Sequence, residues 1–244
     1  MPNSANDERK NAVRQLVWDR LQAEKAAPPD VHGHIPSFFG AEEAAARLAQ
    51  LEVWRSATVV KANPDTAQLP VRVAALNAGK LLYMAVPKLA TIEPFYLLDP
   101  ENLSAPADVI ATSAGAAEHA ERVVVARMRP VDFIVCGSVA VNRAGVRIGK
   151  GAGYSDIELA LLAEAGLIGP QTTVVTTVHQ LQVVDDDLPE TEHDFSVDLI
   201  VTPQETIVCG PPRRPTGIIP GHLTAEKIEA IPVLAAYANI ERPR

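Results

Sequence analysis

The sequence is poor in cysteine, in aromatic side chains and in positive charge. Two cysteines occur in 244 residues, Cys136 and Cys209, each in apolar surroundings before a glycine. A chain of this length can bury a core without a disulfide framework, so the pair reads as reduced, buried thiols. Lys and Arg total 22 against 30 Asp and Glu, a formal net charge of −8. An acidic chain is a poor nonspecific partner for nucleic acid or an anionic membrane, so an anionic ligand would need a local cationic pocket. An RNP-type aromatic motif is missing too, and no nucleic-acid partner is expected. No apolar run is long enough to span a bilayer and no signal-peptide pattern appears, so the expectation is a cytoplasmic protein without membrane contact. Aromatics make up 5% of the chain, and valine and alanine carry most of its 47% hydrophobic content.

What is present is an alternation of strand-like and helix-like segments. A helix is expected from Asn6, which can cap it, with Val13, Leu16, Val17 and Leu21 as its apolar stripe. Ala41 to Leu51 is alanine-rich and helical, and Pro70 to Asn77 suggests another helix ended near Gly79. The runs Thr58–Lys61, Leu81–Val86, Phe133–Cys136, Thr173–Thr177 and Leu199–Thr202 read as strands, and Thr206–Cys209 as an edge strand. Ile157 to Ala165 is helix-like, and Thr224 to Tyr237 weakly so. Such alternation predicts an α/β fold of three layers, a mostly parallel sheet with helices on both faces. Residues 1–210 form one domain on this reading, and residues 211–244 a C-terminal extension on or near it. Met1 to Ala5 is expected to fray.

Arg147-Ile148-Gly149-Lys150-Gly151-Ala152-Gly153-Tyr154-Ser155-Asp156 stands between a strand and a helix. Its alternate glycines leave the backbone free of Cβ atoms, so N–H groups can turn toward one centre, and the following helix adds its positive end. Arg147 and Lys150 put cations beside that cradle. A polyphosphate site needs these parts, although glycines in this spacing also make a plain tight turn. The segment is not a Walker loop, since no Gly-Lys-Ser/Thr follows, and it lacks the strand distance and acidic residue of a dinucleotide fingerprint. Residue by residue, other readings stand beside the functional one. Lys10 and Arg14 lie one turn apart and fit a solvated face. Asp156 can serve as a helix cap, Tyr154 as packing, Lys61 and Lys88 as surface residues or cleft residues, and His32 and His34 as loop residues without a third metal ligand.

The run from Cys136 to Asp156 resembles the signature of the 5-formyltetrahydrofolate cyclo-ligase (methenyltetrahydrofolate synthetase) family, P-G-V-A-F-D-x-x-G-x-R-L-G-x-G-G-G-Y-Y-D. The likeness continues in order through Gln180–Val184, Leu188-Pro189, His193-Asp194 and Val197–Thr202, and Lys10 and Arg14 match an N-terminal K-x-x-x-R. His32–Pro36 and Lys61–Asp65 are similar to the cyclo-ligase domain-like branch. The chain departs from the pattern where Cys136, Val141 and Asn142 replace Pro, Phe and Asp, and where Gln68 or Leu69 stands in place of the family's Glu in E-V-D-T; by resemblance that Glu and the aromatics belong to the folate side. Ala152 replaces a glycine and Ser155 a tyrosine, while the phosphate side is largely intact.

The resemblance implies ATP and Mg²⁺ as cofactors, a reduced folate or similar small molecule as substrate, and a monomer or homodimer in one-carbon metabolism. In the family, ATP phosphorylates the formyl oxygen of 5-formyltetrahydrofolate, the neighbouring nitrogen attacks, and phosphate leaves to give 5,10-methenyltetrahydrofolate. By resemblance Arg147, Lys150 and Tyr154 would be catalytic. Lys10, Arg14, Arg147, Gly149, Lys150, Gly151, Ala152, Gly153, Tyr154 and Asp156 would bind ATP, with Asp156 at Mg²⁺. Two alternatives stay open: a relative that binds ATP but acts on another small substrate, and a non-catalytic regulatory homologue.

Overall fold

The computed structural model of the chain describes residues 4–237. Eleven strands occur among them: β1 (Val59–Ala62), β2 (Leu81–Ala85), β3 (Phe95–Leu98), β4 (Glu121–Val123), β5 (Phe133–Cys136), β6 (Ala140–Asn142), β7 (Arg147–Ile148), β8 (Thr173–Thr177), β9 (Val183–Val184), β10 (Leu199–Val201) and β11 (Thr206–Val208). The α-helices are α1 (Ser4–Ala23), α2 (Ala41–Leu48), α3 (Glu52–Ser56), α4 (Leu69–Asn77), α5 (Ala107–Ile110), α6 (Ser113–His119), α7 (Tyr154–Glu164) and α8 (Ala225–Ala230).

Eight strands form one sheet in the order β11-β10-β8-β5-β1-β2-β3-β4. The pairs among β10, β8, β5, β1 and β2 are parallel, and β11, β3 and β4 join antiparallel at the two sides. The central strands are buried on both faces because successive side chains point opposite ways. Phe133 and Val135 enter a core with Val71, Ala75 and Leu76 of α4, while Ile134 and Cys136 enter another with Leu159 and Leu162 of α7. This is the expected mostly parallel α/β sheet with helices around it. Asp132 fixes the β1–β5 register, accepting hydrogen bonds from the Thr58 amide at 2.8 Å and the Val59 amide at 2.9 Å.

Several elements depart from expectation. Phe95–Leu98 and Glu121–Val123 are strands the sequence pattern did not bring out. A second sheet, β7-β6-β9, stands apart from the first. Helix α1 starts at Ser4, ahead of Asn6, and the Asn6 side chain donates to the Glu190 carbonyl at 3.2 Å instead of capping. Of the expected stripe on α1, Val17 and Leu21 are buried against the small sheet, whereas Leu16 is 51% exposed and the buried neighbour is Trp18. The Ala41–Leu51 helix stops at Leu48, and a separate turn of helix follows as α3. Both cysteines are free, Cys136 buried and Cys209 half-buried. The fraying expected for residues 1–5 falls outside the described residues at 1–3, and residues 238–244 of the extension also lie outside them.

The sheet carries a topological switch. From β1 the chain proceeds one way through β2, β3 and β4, and from β5 it proceeds the other way through β8 and β10. Ligands in open α/β sheets sit beyond the carboxyl ends of strands at such a point. Here the crevice lies between Asn63-Pro64-Asp65, after β1, and Gly137, after β5.

Candidate functional site

The hairpin β6–β7 delivers the glycine loop to that crevice. Asn142 shapes its turn: the Asn142 carbonyl accepts from Gly145 N–H at 2.9 Å and the side-chain oxygen from Val146 N–H at 3.0 Å. Gln182 ties the hairpin down by donating to the Ser138 carbonyl at 2.8 Å. After β7 the backbone runs through Gly151 at φ +101° and Gly153 at φ +70°, conformations that only glycine takes without strain. Gly153 is the residue before α7, in the left-handed region and without a side-chain cap, so Asp156 sits inside the first turn and is not the cap. Among the described residues the amides of 150–154 meet no internal acceptor.

Arg147 underlies the loop. Its guanidinium donates to the Gly137 carbonyl at 3.1 Å and the Ser138 hydroxyl at 3.3 Å, reaches Asp156 Oδ1 at 3.4 Å and lies 4.5 Å from the Phe195 ring centroid. A Cβ on Gly149 would stand 2.9 Å from Arg147 Nη2. Arg147 thus serves as the floor of the loop, held from four sides.

Lys10 and Arg14 do not form a solvated face; each is 8% exposed. They approach from α1. Lys10 Nζ pairs with Asp194 at 2.5 Å, and Asp194 also accepts from the Thr191 amide at 2.6 Å and the Thr191 hydroxyl at 2.8 Å. Burial pushes the Asp194 carboxyl up, but Lys10 and the Thr191 donors outweigh it and hold it below its usual value. Arg14 donates to the Gly149 carbonyl at 2.7 Å and to Asn11 at 2.5 Å, and its guanidinium carbon is 3.4 Å from a Cβ position on Gly151. A cavity of about 100 Å³ is lined by Lys10, Arg14, Gly149, Gly151, Asp156 and Asp194.

The Asp156 carboxyl is pushed up by burial, which Arg147 only partly offsets. Its contact with Arg147 is loose and it lines the cavities on both sides of the loop. A partly desolvated carboxylate so placed fits one ligand of a hard divalent cation whose other ligands are phosphate oxygens and water. Among the described residues no group of three or more His, Cys, Asp and Glu could hold a metal unaided. The cradle also fits a polyphosphate, since it offers unengaged amides, the α7 N-terminus and the Arg14 cation together.

Lys150 faces the other side, and Tyr154 lines the cavity there while its ring also carries the Lys227 ammonium at 4.0 Å. Lys150 is exposed and reaches Asp65 at 3.0 Å, on a cavity of about 40 Å³ that both share with Ile35 and Tyr154. Beyond it lies a space of about 250 Å³ between residues 28–37 and Pro64–Thr66. Gln68 is fully buried, and its side-chain oxygen is without a hydrogen-bond partner beside Gly137 and Asp65. The Lys61-Ala62-Asn63-Pro64-Asp65 turn is held from within by Arg72, which donates to the Asn63 carbonyl at 2.5 Å and the Asp65 carbonyl at 2.9 Å.

Lys61 faces neither solvent nor cleft. It is completely buried, ion-paired to Glu158 and bonded to Asn63 at 2.8 Å; Asn63 in turn donates to Ser155 at 2.6 Å. This network supports the loop from below, and sequence reasoning missed it. One signal was available: Glu158 is an isolated acid in an otherwise apolar stretch of α7. Lys88 is exposed at φ +61°. Phe195, Ser138 and Lys227 were also missed.

The sequence profile of the 5-formyltetrahydrofolate cyclo-ligase family matches residues 6–203. The methenyltetrahydrofolate synthase domain-containing protein of Mus musculus is 38% identical over 242 residues, covering 96% of this chain and 64% of the mouse protein. Its Bos taurus counterpart is 36% identical over 241 residues, covering 95% and 62%. The chain therefore spans less than two thirds of the length of these relatives. Among solved structures, the Aquifex aeolicus 5,10-methenyltetrahydrofolate synthetase superposes with a TM-score of 0.52 at 21% identity, covering 85% of this chain and 94% of that one, a likeness of fold.

Proposed function

This chain belongs to the 5-formyltetrahydrofolate cyclo-ligase family, and from that premise we propose that it is an ATP- and Mg²⁺-dependent ligase that closes 5-formyltetrahydrofolate to 5,10-methenyltetrahydrofolate. The observation that carries the reading is the set of amides from 150 to 154 without internal acceptors, bordered by Lys10, Arg14 and Asp156 on one cavity. Phosphoryl transfer asks little covalent chemistry of a protein. It asks for position and for neutralised charge.

Each residue then has a task. The amides of 150–154 and the N-terminus of α7 orient the polyphosphate. Arg14 offers a guanidinium beside Gly151, and Lys10 adds charge that Asp194 holds in place. Arg147 fills the space beside Gly149 and puts a cation near Asp156. Asp156 would hold Mg²⁺, which supplies charge neutralisation at the phosphates. Lys150 and Tyr154, on the opposite side of the loop, would meet the second substrate, with the space lined by Ile35 and Asp65 receiving it. The formyl oxygen takes the terminal phosphoryl group of ATP, ADP departs, the neighbouring nitrogen attacks the formyl carbon, and inorganic phosphate leaves with the original oxygen. The site must hold two substrates on either side of one loop, as these cavities allow.

The reading is tested by titrating ATP with Mg²⁺ and then following ADP release as 5-formyltetrahydrofolate is added. Saturable ATP binding with folate-dependent ADP release supports it; no ATP binding ends it. A second reading, the same phosphate site serving another small substrate, is favoured by one observation. Gln68, one of the two candidates for the position where the family pattern has a carboxylate, offers a neutral amide close to Asp65, and the other candidate, Leu69, offers no carboxylate either. ATP binding without folate-dependent turnover would select it.

A further inference from the structure

The cations around the glycine loop differ in what they are committed to. Lys10, Arg147 and Lys150 each face a carboxylate, Asp194, Asp156 and Asp65 respectively. Arg14 and Lys227 have no carboxylate within ion-pairing distance among the described residues. Lys227 comes from α8, beyond residue 203, where the family profile stops.

The chain brings Lys227 to the loop by a definite path. After β11, Arg214 pairs with Asp198 and donates to the Ser196 carbonyl, anchoring the strand's exit. The Ile218 amide donates to Glu164 near the end of α7 at 3.1 Å, and Tyr237 returns to the same carboxylate at 2.5 Å. Between those fixed points, Leu223, Ile231 and Leu234 are buried in the core that contains α7. Lys227 then lies half-buried, donating to the Ala152 carbonyl with its ammonium 4.0 Å from the Tyr154 ring centroid and 4.0 Å from a Cβ position on Gly153. Arg14 holds the equivalent place at Gly151. The two unpaired cations thus flank the same backbone from opposite ends of the chain.

Lys227 lines the larger of the two cavities on this side, about 260 Å³, walled by Ile157 and Ala160 of α7 and by Ile218, Ile219 and Leu223 of the C-terminal segment, while Arg14 lines the smaller one beside it. The larger one shares Asp7, Gly151, Gly153, Asp156 and His193 with the cavity at Lys10 and Arg14, so the two adjoin along the loop. Its apolar walls suit a flat, poorly hydrated group, and its mouth at the loop suits an anion. Burial pushes the Lys227 ammonium below its usual pKa, with Asp156 acting in the opposite sense, as expected of a cation short of counter-charge.

We propose that Lys227 is a ligand-contacting residue of the nucleotide site: the C-terminal segment supplies a second phosphate-facing cation opposite Arg14, and an apolar wall for the nucleotide's base. The inference rests on the nucleotide reading above and adds a part of the chain that the family profile does not reach. It makes ATP affinity depend on residues 217–227.

The test uses the full chain. ATP is titrated with Mg²⁺ against the wild type, Lys227→Met and Lys227→Arg, with a thermal melt of each. In parallel, the wild type is acetylated with an amine-reactive ester with and without ATP, and the modification of Lys227 is read by mass spectrometry against exposed Lys25. The expected result is about tenfold weaker ATP binding in Lys227→Met, an intermediate loss in Lys227→Arg, and slower acetylation of Lys227, not of Lys25, when ATP is bound. Wild-type ATP binding with equal affinity in Lys227→Met and unchanged Lys227 acetylation would overturn the inference and leave the nucleotide reading standing. Absence of ATP binding in the wild type would overturn both. Should Lys227→Met fail to fold, wild-type acetylation alone decides.

Discussion

Lys61 and Glu158 form an ion pair with side chains 0% and 5% exposed, joining the central strand β1 to helix α7 directly beneath the glycine loop. Burial pushes the Glu158 carboxyl up and Lys61 pulls it down, and the net shift is upward. A pair so far from water is costly to break on one side, because the remaining charge is stranded.

Lys61→Met or Glu158→Gln alone is therefore expected to cost about 3–5 kcal/mol of stability, and the double change Lys61→Met with Glu158→Leu much less than the sum. Urea unfolding of the three variants checks this. Equal and additive losses would show that the two groups do not depend on each other.

Gly151→Ala is expected to lose about 1–3 kcal/mol, since φ +101° is closed to a residue with a Cβ, and to weaken ATP binding because the loop amides must reorient. Gly169→Ala, where a Cβ meets nothing within 4 Å, is the control and should leave ATP affinity unchanged. Thermal melts and an ATP titration read both effects.

Arg14→Met should weaken ATP binding by about tenfold or more, the scale of a lost charge-assisted hydrogen bond. Arg14→Lys should not fully restore it. The guanidinium reaches Gly149 and Asn11 with two different nitrogens of one rigid fork, a geometry that the single nitrogen of an ammonium does not reproduce. Isothermal titration of the three proteins gives the ranking.

Asp194 sets a pH dependence whose sign is fixed. Its carboxyl lies below its usual value in the fold, so the stabilisation is complete well above about 3.8 and is lost as pH falls below it through the folded value. The stability gap between wild type and Asp194→Asn, measured by urea unfolding from pH 7 down to 3, should be widest at neutral pH and close toward the acid end. A gap that grows as pH falls would refute the assignment of Lys10 as partner.

The sequence made the parallel centre of the sheet legible because its strands carry no alternation to misread. Phe133-Ile134-Val135-Cys136 and Thr173–Thr177 are buried on both faces, and a continuous apolar or β-branched run is their signature. The small sheet was not legible. Its strands are two or three residues long, below the length at which any period shows, and they pair across the insertion of β8. Lys10, Arg14 and the glycine loop could be named from an ordered set of motifs, and the structure brings them to one cavity. Lys61 could not be placed, because nothing in a strand's own residues tells a buried lysine from an exposed one until its partner, 97 positions on, is known. Lys227 stands outside every motif and is visible only through the path of the chain.

The sheet's two rims differ in how they would resist accretion. At one rim, β4 presents Glu121 and Arg122 to solvent, with Glu121 paired to Arg127 at 3.0 Å, and charge there discourages a foreign strand. At the other, β11 ends in Val208 at 78% exposure. Under conditions that loosen the fold, self-association would therefore begin by β11 of one molecule pairing with β11 of another, and a lysine in place of Val208 would raise the concentration at which that dimerisation sets in.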